Sequence, residues 1–96
     1  MHLSRTILLR EAIGETIRDL RGNSNRTLRE VSADARVSLG YLSEIERGQK
    51  EASSEVLSWI AEALGVSVGQ LMAEVAARLI AYESDSVVSL HARLAA

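Results

Sequence analysis

Between Thr27 and Gly48 the chain has room for two short helices and a tight turn, and for little else. Thr27 and Glu30 stand three apart, the spacing of a capping box, in which hydroxyl and carboxylate each satisfy an orphaned backbone N–H of a first helical turn. Leu28, Val31 and Ala35 then fall on one face, so the pattern predicts a helix from about Thr27 to Ala35. Ser38 is a second N-cap, and Val37, Leu42 and Ile45 supply an inward face. Gly48 stands where a helix ends in a left-handed residue, which predicts a helix from Ser38 to Arg47. Two such helices make a helix-turn-helix, whose second member enters the major groove of DNA. With Leu42 and Ile45 turned inward, Leu39, Gly40, Ser43 and Glu44 are left on its outer side.

The same punctuation recurs along the chain. Leu9, Ile13, Ile17 and Leu20 recur at helical spacing, predicting a first helix from about Arg5 or Leu8 to Arg21, stopped by Gly22-Asn23-Ser24-Asn25. Ser53 or Ser54 caps a fourth helix carrying Val56, Leu57, Ile60, Ala61 and Leu64, and Gly65 ends it. Ser67 and Gln70 form another capping box, opening a fifth helix to about Tyr82. Beyond Glu83, ESDSVVSLHARLAA reads either as a frayed tail or as a short final helix capped by Ser84 or Ser86. Proline and phenylalanine are absent, and no alternating strand pattern survives comparison with the helical periods. The expected fold is all-α with five helices: residues 1–66 a helix-turn-helix domain, 67–83 a helix continuous with it, and 84–96 a C-terminal tail.

Composition narrows the chemistry. A chain of 96 residues reads as one domain, with no length for a second, ligand-binding one. It has no cysteine, and its two histidines, His2 and His91, lie near the ends, so neither a metal site nor a bound cofactor is expected. There is no His–carboxylate pairing at useful spacing and no glycine-rich phosphate loop, which argues against an enzyme. No apolar run reaches the ~18 residues of a membrane span and no signal-peptide pattern opens the chain, so a cytoplasmic location is expected. The net charge of −2 runs against a nucleic-acid partner, but it is unevenly spread. Residues 1–50 hold nine Lys/Arg against seven Asp/Glu, and residues 51–96 hold two against six. That asymmetry permits an electrostatic footprint on one face without demonstrating it.

Several segments fit one family in register. Val37-Ser38, Tyr41-Leu42-Ser43 and Ile45-Glu46-Arg47-Gly48, followed by Ile60-Ala61 and Ala63-Leu64-Gly65-Val66, resemble the Cro/C1-type (XRE) helix-turn-helix family. Ile17-Arg18-Asp19-Leu20-Arg21 resembles that family's usual first-helix ending, and the resemblance covers roughly residues 9 to 72. It implies a lambda-repressor-like DNA-binding domain, here with an extended C-terminal helix. Within the family, LREVSADARVSLGYLSEIERGQKEASSE is most similar to actinobacterial regulators of Clp protease genes. The resemblance therefore implies a transcription regulator, an activator of Clp protease and stress genes.

It also implies roles for residues. Leu39, Gly40 and Glu44 match base-reading positions, and Ser43 shares their outer face. A glutamate there accepts from a cytosine amino group, and a leucine covers a thymine methyl; the bland alternative for Glu44 is a solvated helix residue. Ser38 and Tyr41 match positions near the sugar-phosphate backbone. Arg21 and Glu46 match a pair that orients the reading helix, and Arg21 is also a candidate for phosphate. Cations and backbone donors around the helix starts anchor phosphates, which makes Arg26, Arg29, Arg36, Arg47 and Lys50, with Thr27, further candidates. For each arginine the alternative is a solvated surface charge. Two residues depart from the pattern: Leu28 stands where the family commonly has Gln, and Arg36 where it commonly has Gly. An Arg36 held at positive φ would carry strain of about 1 kcal/mol.

The fifth helix is apolar over more than one face, through Leu71, Met72, Val75, Ala76, Leu79, Ile80 and Tyr82. One stripe suffices to close a core, so the surplus, with Trp59 from the fourth helix, is expected to form a homodimer contact; the alternative is a helix that merely closes a monomer. A dimer places two reading helices about one DNA turn apart on a pseudo-palindromic double-stranded operator. RNA polymerase is the expected protein partner. Leu94-Ala95-Ala96 resembles tails read by Clp-type proteases, with coincidence in an alanine-rich helix end as the competing explanation. Two other functions stay open: a phage-type or antitoxin repressor, and a helix-turn-helix serving protein–protein contact only.

Overall fold

The computed structural model describes the backbone of residues 7–95 and the side chains of residues 7–84. Its helices are α1 Leu9–Asn23, α2 Leu28–Ala35, α3 Leu39–Glu46, α4 Ser54–Ala63 and α5 Val68–Ala95, with no strand among the described residues. The starts follow the caps. The Thr27 hydroxyl accepts from the Glu30 amide at 3.0 Å while the Glu30 carboxylate takes the Thr27 amide at 2.8 Å. Ser38 and Ser53 cap α3 and α4, accepting from the amides of Tyr41 and Val56. Ser67 and Gln70 close a reciprocal box ahead of α5.

The ends of α1 to α4 share one device. A left-handed residue turns the chain, and the residue after it donates back to the last turn of the helix. At α3 and α4 the left-handed residues are Gly48 and Gly65, with Gln49 donating to the Glu44 carbonyl at 2.9 Å and Val66 to that of Ala61 at 3.0 Å. At α1 and α2 the position is held by Asn25 (φ 56°) and Arg36 (φ 59°) instead. Arg36 thus does adopt the strained conformation in the turn between α2 and α3.

Ile17, Val31, Ala35, Leu42, Ile45, Val56, Ile60, Ala61 and Leu71 form the core, one or more from every helix. The inward face of α1 differs from the expected stripe. Leu9 is exposed, whereas Ala12, Gly14, Thr16 and Ile17 are buried. Small residues line this face because α1 lies close against a neighbour, and the Thr16 hydroxyl is satisfied by the Ala12 carbonyl at 2.8 Å.

Two expectations are corrected. Helix α5 does not stop near Tyr82 but runs unbroken for 28 residues to Ala95. The Glu83-Ser84-Asp85-Ser86 stretch reads as a boundary, yet it holds neither Gly nor Pro, and cap-type residues tolerate a helix interior when nothing else stops it. At 1.5 Å per residue the helix is about 42 Å long. The side chains of Leu94, Ala95 and Ala96, the expected degradation signal, lie outside the described residues. The second correction concerns the dimer face: Leu71 and Val75 are 0 % and 2 % exposed, interior to a single protomer. The first turns of α5 need that stripe to pack on α1 and α4, so neither residue is available to a second copy.

Candidate nucleic-acid interface

Helix α3 is held from both ends and from behind. Ser38 caps its start, Leu42 and Ile45 are fully buried, and Glu46 in its last turn is the one buried carboxylate among the described residues. Arg21 of α1 meets that carboxylate with a two-point fork: Nε donates to Oε2 at 2.8 Å and Nη2 to Oε1 at 3.0 Å. The remaining Nη1 donates to the Arg26 carbonyl at 3.0 Å, which ties the α1–α2 loop into the same contact. The Glu46 hydrogen bond holds the Arg21 guanidinium still further above its already high titration range, against the opposing effect of burial. A planar fork matched to a carboxylate fixes angle as well as distance. Arg21 thus braces α3 against α1, with all three of its nitrogens engaged inside the protomer.

The outer face of α3 carries the four expected residues. Gly40 is exposed and has no atom within 4 Å of where a Cβ would stand, so the backbone is open to close approach there. Leu39, Ser43 and Glu44 are half-buried at its sides. Ser43 is braced by Arg47, whose Nη1 donates to the serine hydroxyl at 2.6 Å while Nη2 reaches Gln49 Oε1 at 3.3 Å. Arg47 thus spans the end of α3 and the following turn.

The expected phosphate residues divide. Arg29, Arg36 and Lys50 are exposed and their side chains make no hydrogen bond or ion pair among the described residues, so their charges are available to a ligand. Thr27 and Ser38 are committed as caps but leave neighbouring first-turn amides facing outward. Tyr41 donates its hydroxyl to the Glu51 carbonyl at 3.1 Å, which fixes the ring over the α3–α4 connection. Arg26 is a correction: it donates through Nη1 to the Ala63 carbonyl at 2.8 Å and pairs through Nη2 with Asp34. Its position before the Thr27 cap suggested a phosphate ligand, but the last carbonyls of α4 converge there and need a donor. Arg26 staples α2 to α4.

The expected dimer residues divide as well. Trp59 is 48 % exposed and Ile80 is 58 % exposed, large apolar side chains on α4 and α5 with open surface; Ala76 is exposed beside Ile80. Met72, Leu79 and Tyr82 are half-buried, and the Tyr82 hydroxyl reaches Glu15 at 3.3 Å. Sequence reasoning missed the contacts that hold α5 to α1. Arg78 donates from Nη1 to Glu15 Oε1 at 3.0 Å and from Nη2 to Asp19. It also missed Arg10, whose Nε donates to the Gly48 carbonyl at 3.1 Å. Their only signal was chemical type, with Arg10, Glu15 and Asp19 on α1 and Arg78 on α5.

Comparison with known proteins agrees with this geometry. The helix-turn-helix family matches residues 17–71, more than half of the chain. The transcriptional regulator ClgR of Mycobacterium tuberculosis is 51 % identical over 76 residues, covering 79 % of this chain and 68 % of the relative. The crystal structure of the clp gene regulator ClgR from Corynebacterium glutamicum is 40 % identical, covers 95 % of this chain and 97 % of its own, and superposes with a TM-score of 0.83. A restriction-modification controller protein from Aeromonas hydrophila, at 22 % identity, covering 65 % of this chain and 94 % of its own with a TM-score of 0.63, shares the fold. No single helix among the described residues is long and apolar enough to cross a membrane. An all-α frame, a braced helix with an open outer face, and these relatives lead to one conclusion: the chain belongs to the XRE-type helix-turn-helix family of DNA-binding transcriptional regulators, of the ClgR kind.

Proposed function

We propose that the protein binds a pseudo-palindromic operator as a homodimer in the cytoplasm and activates Clp protease and stress genes by contact with RNA polymerase. The carrying observation is the Arg21–Glu46 fork, which fixes α3 with Leu39, Gly40, Ser43 and Glu44 outward while Arg29, Arg36 and Lys50 stay uncommitted around it. In this reading Glu44 accepts from a cytosine amino group and Leu39 covers a thymine methyl. Gly40 admits close backbone approach, and Ser43 is held in place by Arg47. Arg29, Arg36 and Lys50 neutralise phosphates, with the first-turn amides behind Thr27 and Ser38 adding backbone donors.

The dimer part of the proposal rests on Trp59, Ala76 and Ile80, with half-buried Met72 and Leu79 at the margin. Large apolar groups exposed on adjacent helices lose water by covering one another, and a two-fold contact covers both copies at once. Regulation of Clp genes in particular is supported by the similarity to the clp gene regulator of Corynebacterium glutamicum. Selection of duplexes from a random pool, followed by footprinting, tests the reading. A two-fold site with half-sites about ten base pairs apart supports it; a single asymmetric half-site removes the dimer, and no enrichment removes specific recognition.

A further inference from the structure

Gly14 sits in the middle of α1, where glycine is unfavourable for a helix unless something needs its missing side chain. A Cβ at this position would lie 2.3 Å from the Ile45 carbonyl oxygen and 2.7 Å from that of Glu46. Both atoms belong to the backbone of the last turn of α3. The approach continues one turn earlier on α1. A Cβ on Gly48 would lie 2.9 Å from the Glu11 Cα, and Arg10 donates to the Gly48 carbonyl. At Gly14 backbone therefore rests on backbone, with no side chain to yield, and at Gly48 the chain lies against both the backbone and the side chain of Glu11. Another part of α1 carries Glu15 and Asp19, which hold Arg78 of α5.

We propose that Gly14 is a positioning residue for DNA recognition, and that α1 is the strut fixing the reading helix relative to α5. The inference rests on the dimeric reading above. If α5 carries the contact with the second copy, the separation of the two reading helices in the dimer depends on the α3–α1–α5 stack, and Gly14 sets its closest distance. A methyl at Gly14 displaces α3 or tilts it, because carbonyl oxygens of a helix end cannot retreat alone. Attraction of Arg29, Arg36 and Lys50 to phosphates tolerates a small shift of α3, whereas contacts to base edges do not. Loss of position thus falls on site-specific binding and on the preferred spacing of half-sites, not on general attraction to DNA.

The test compares wild type, Gly14→Ala and Arg10→Lys, each first checked for helical content and cooperative melting. Arg10→Lys keeps the charge and adds no bulk, but a lysine has no Nε–H in the geometry that meets Gly48. Each protein is titrated against the duplex selected by wild type, against versions with the half-sites one base pair closer and farther, and against a random-sequence duplex. For Gly14→Ala the expected result is at least a tenfold loss on the selected duplex, less than a twofold change on random duplex, and a flattened or shifted spacing preference. Arg10→Lys is expected to lose several-fold in the same pattern. Equal losses on selected and random duplexes, or an unchanged spacing profile in a folded Gly14→Ala protein, overturn the proposal. If Gly14→Ala does not fold, Arg10→Lys decides, and an unchanged ratio of selected to random affinity overturns it. A wild type that shows no spacing preference refutes the dimeric reading itself, an outcome distinct from failure of the strut.

Discussion

Replacing Arg21 by methionine removes the fork that holds Glu46 and leaves a carboxylate whose side chain is 6 % exposed with no counter-charge. Losing one partner of a fully buried pair costs about 3–5 kcal/mol. Arg21 is itself 20 % exposed, so water partly screens the pair and the cost is discounted to about 2–4 kcal/mol. For a domain of this size each kcal/mol shifts the melting temperature by about 4–8 °C. Arg21→Met should therefore melt about 8–32 °C lower, measured by circular dichroism at fixed protein concentration. The companion variant Arg21→Met/Glu46→Leu removes both charges and fills the same space. It should regain most of the stability, since an apolar pair can replace a buried ion pair at little cost, yet site-specific DNA affinity should not return with it. An apolar contact fills volume but does not fix the angle of α3 as a planar fork does. A single-variant loss below about 0.5 kcal/mol, or a double variant that recovers both stability and specific affinity, would refute the assignment of Arg21 and Glu46 as the orienting pair.

Other outcomes follow from single features. Arg36→Gly relieves a left-handed non-glycine residue and should raise stability by about 0.5–1 kcal/mol. The same change should weaken DNA binding and lower the salt slope by about one unit, because one phosphate contact is lost. Ile80→Glu should shift sedimentation toward the monomer without unfolding it, whereas Leu71→Ala, cut from the core, should cost about 2–5 kcal/mol. Arg26→Ala should destabilise by about 1–2 kcal/mol through loss of the Ala63 and Asp34 bonds, with little change in salt slope. The Thr27 amide and hydroxyl hold the exposed Glu30 carboxylate below its ordinary range. A depressed carboxylate contributes stability that is complete above the unfolded value and is lost as pH falls through the folded one. The cap of α2 should therefore weaken only below about pH 4.3, and Glu30→Gln should flatten that part of the acid melting profile.

Much of this was legible in the chain because it is local. Caps lie within three residues of what they cap, so Thr27 with Glu30, Ser38, the Ser53-Ser54 pair and Ser67 with Gln70 announced four helix starts, and Ser53 is the one of its pair that caps. Glycines at 48 and 65 announced two ends. The Arg21–Glu46 pair joins residues far apart in sequence, and only the family resemblance brought it into view. What was misread depends on distance in space. Leu71 and Val75 looked like surplus on an over-apolar helix until α1 and α4 were packed against them. Arg26 looked like a solvent-facing cation until the end of α4 arrived with an unpaired carbonyl. Gly14 drew no notice as a lone glycine in a helix, because the carbonyls that exclude a side chain there come from more than thirty residues downstream. The boundary placed at Glu83 failed for a different reason: polar residues suggest an end to a helix but do not impose one.

In the proposed reading a braced α3 reads base edges while the surrounding cations anchor phosphates. Titration of the selected duplex and of a random duplex with wild type and Glu44→Ala, across a series of salt concentrations, tests it most directly. Log affinity should fall steeply with log salt for both duplexes and both proteins. Glu44→Ala should lose about 1–3 kcal/mol on the selected duplex alone. Binding that ignores salt, or a Glu44→Ala protein that binds the selected duplex as tightly as wild type, would contradict it.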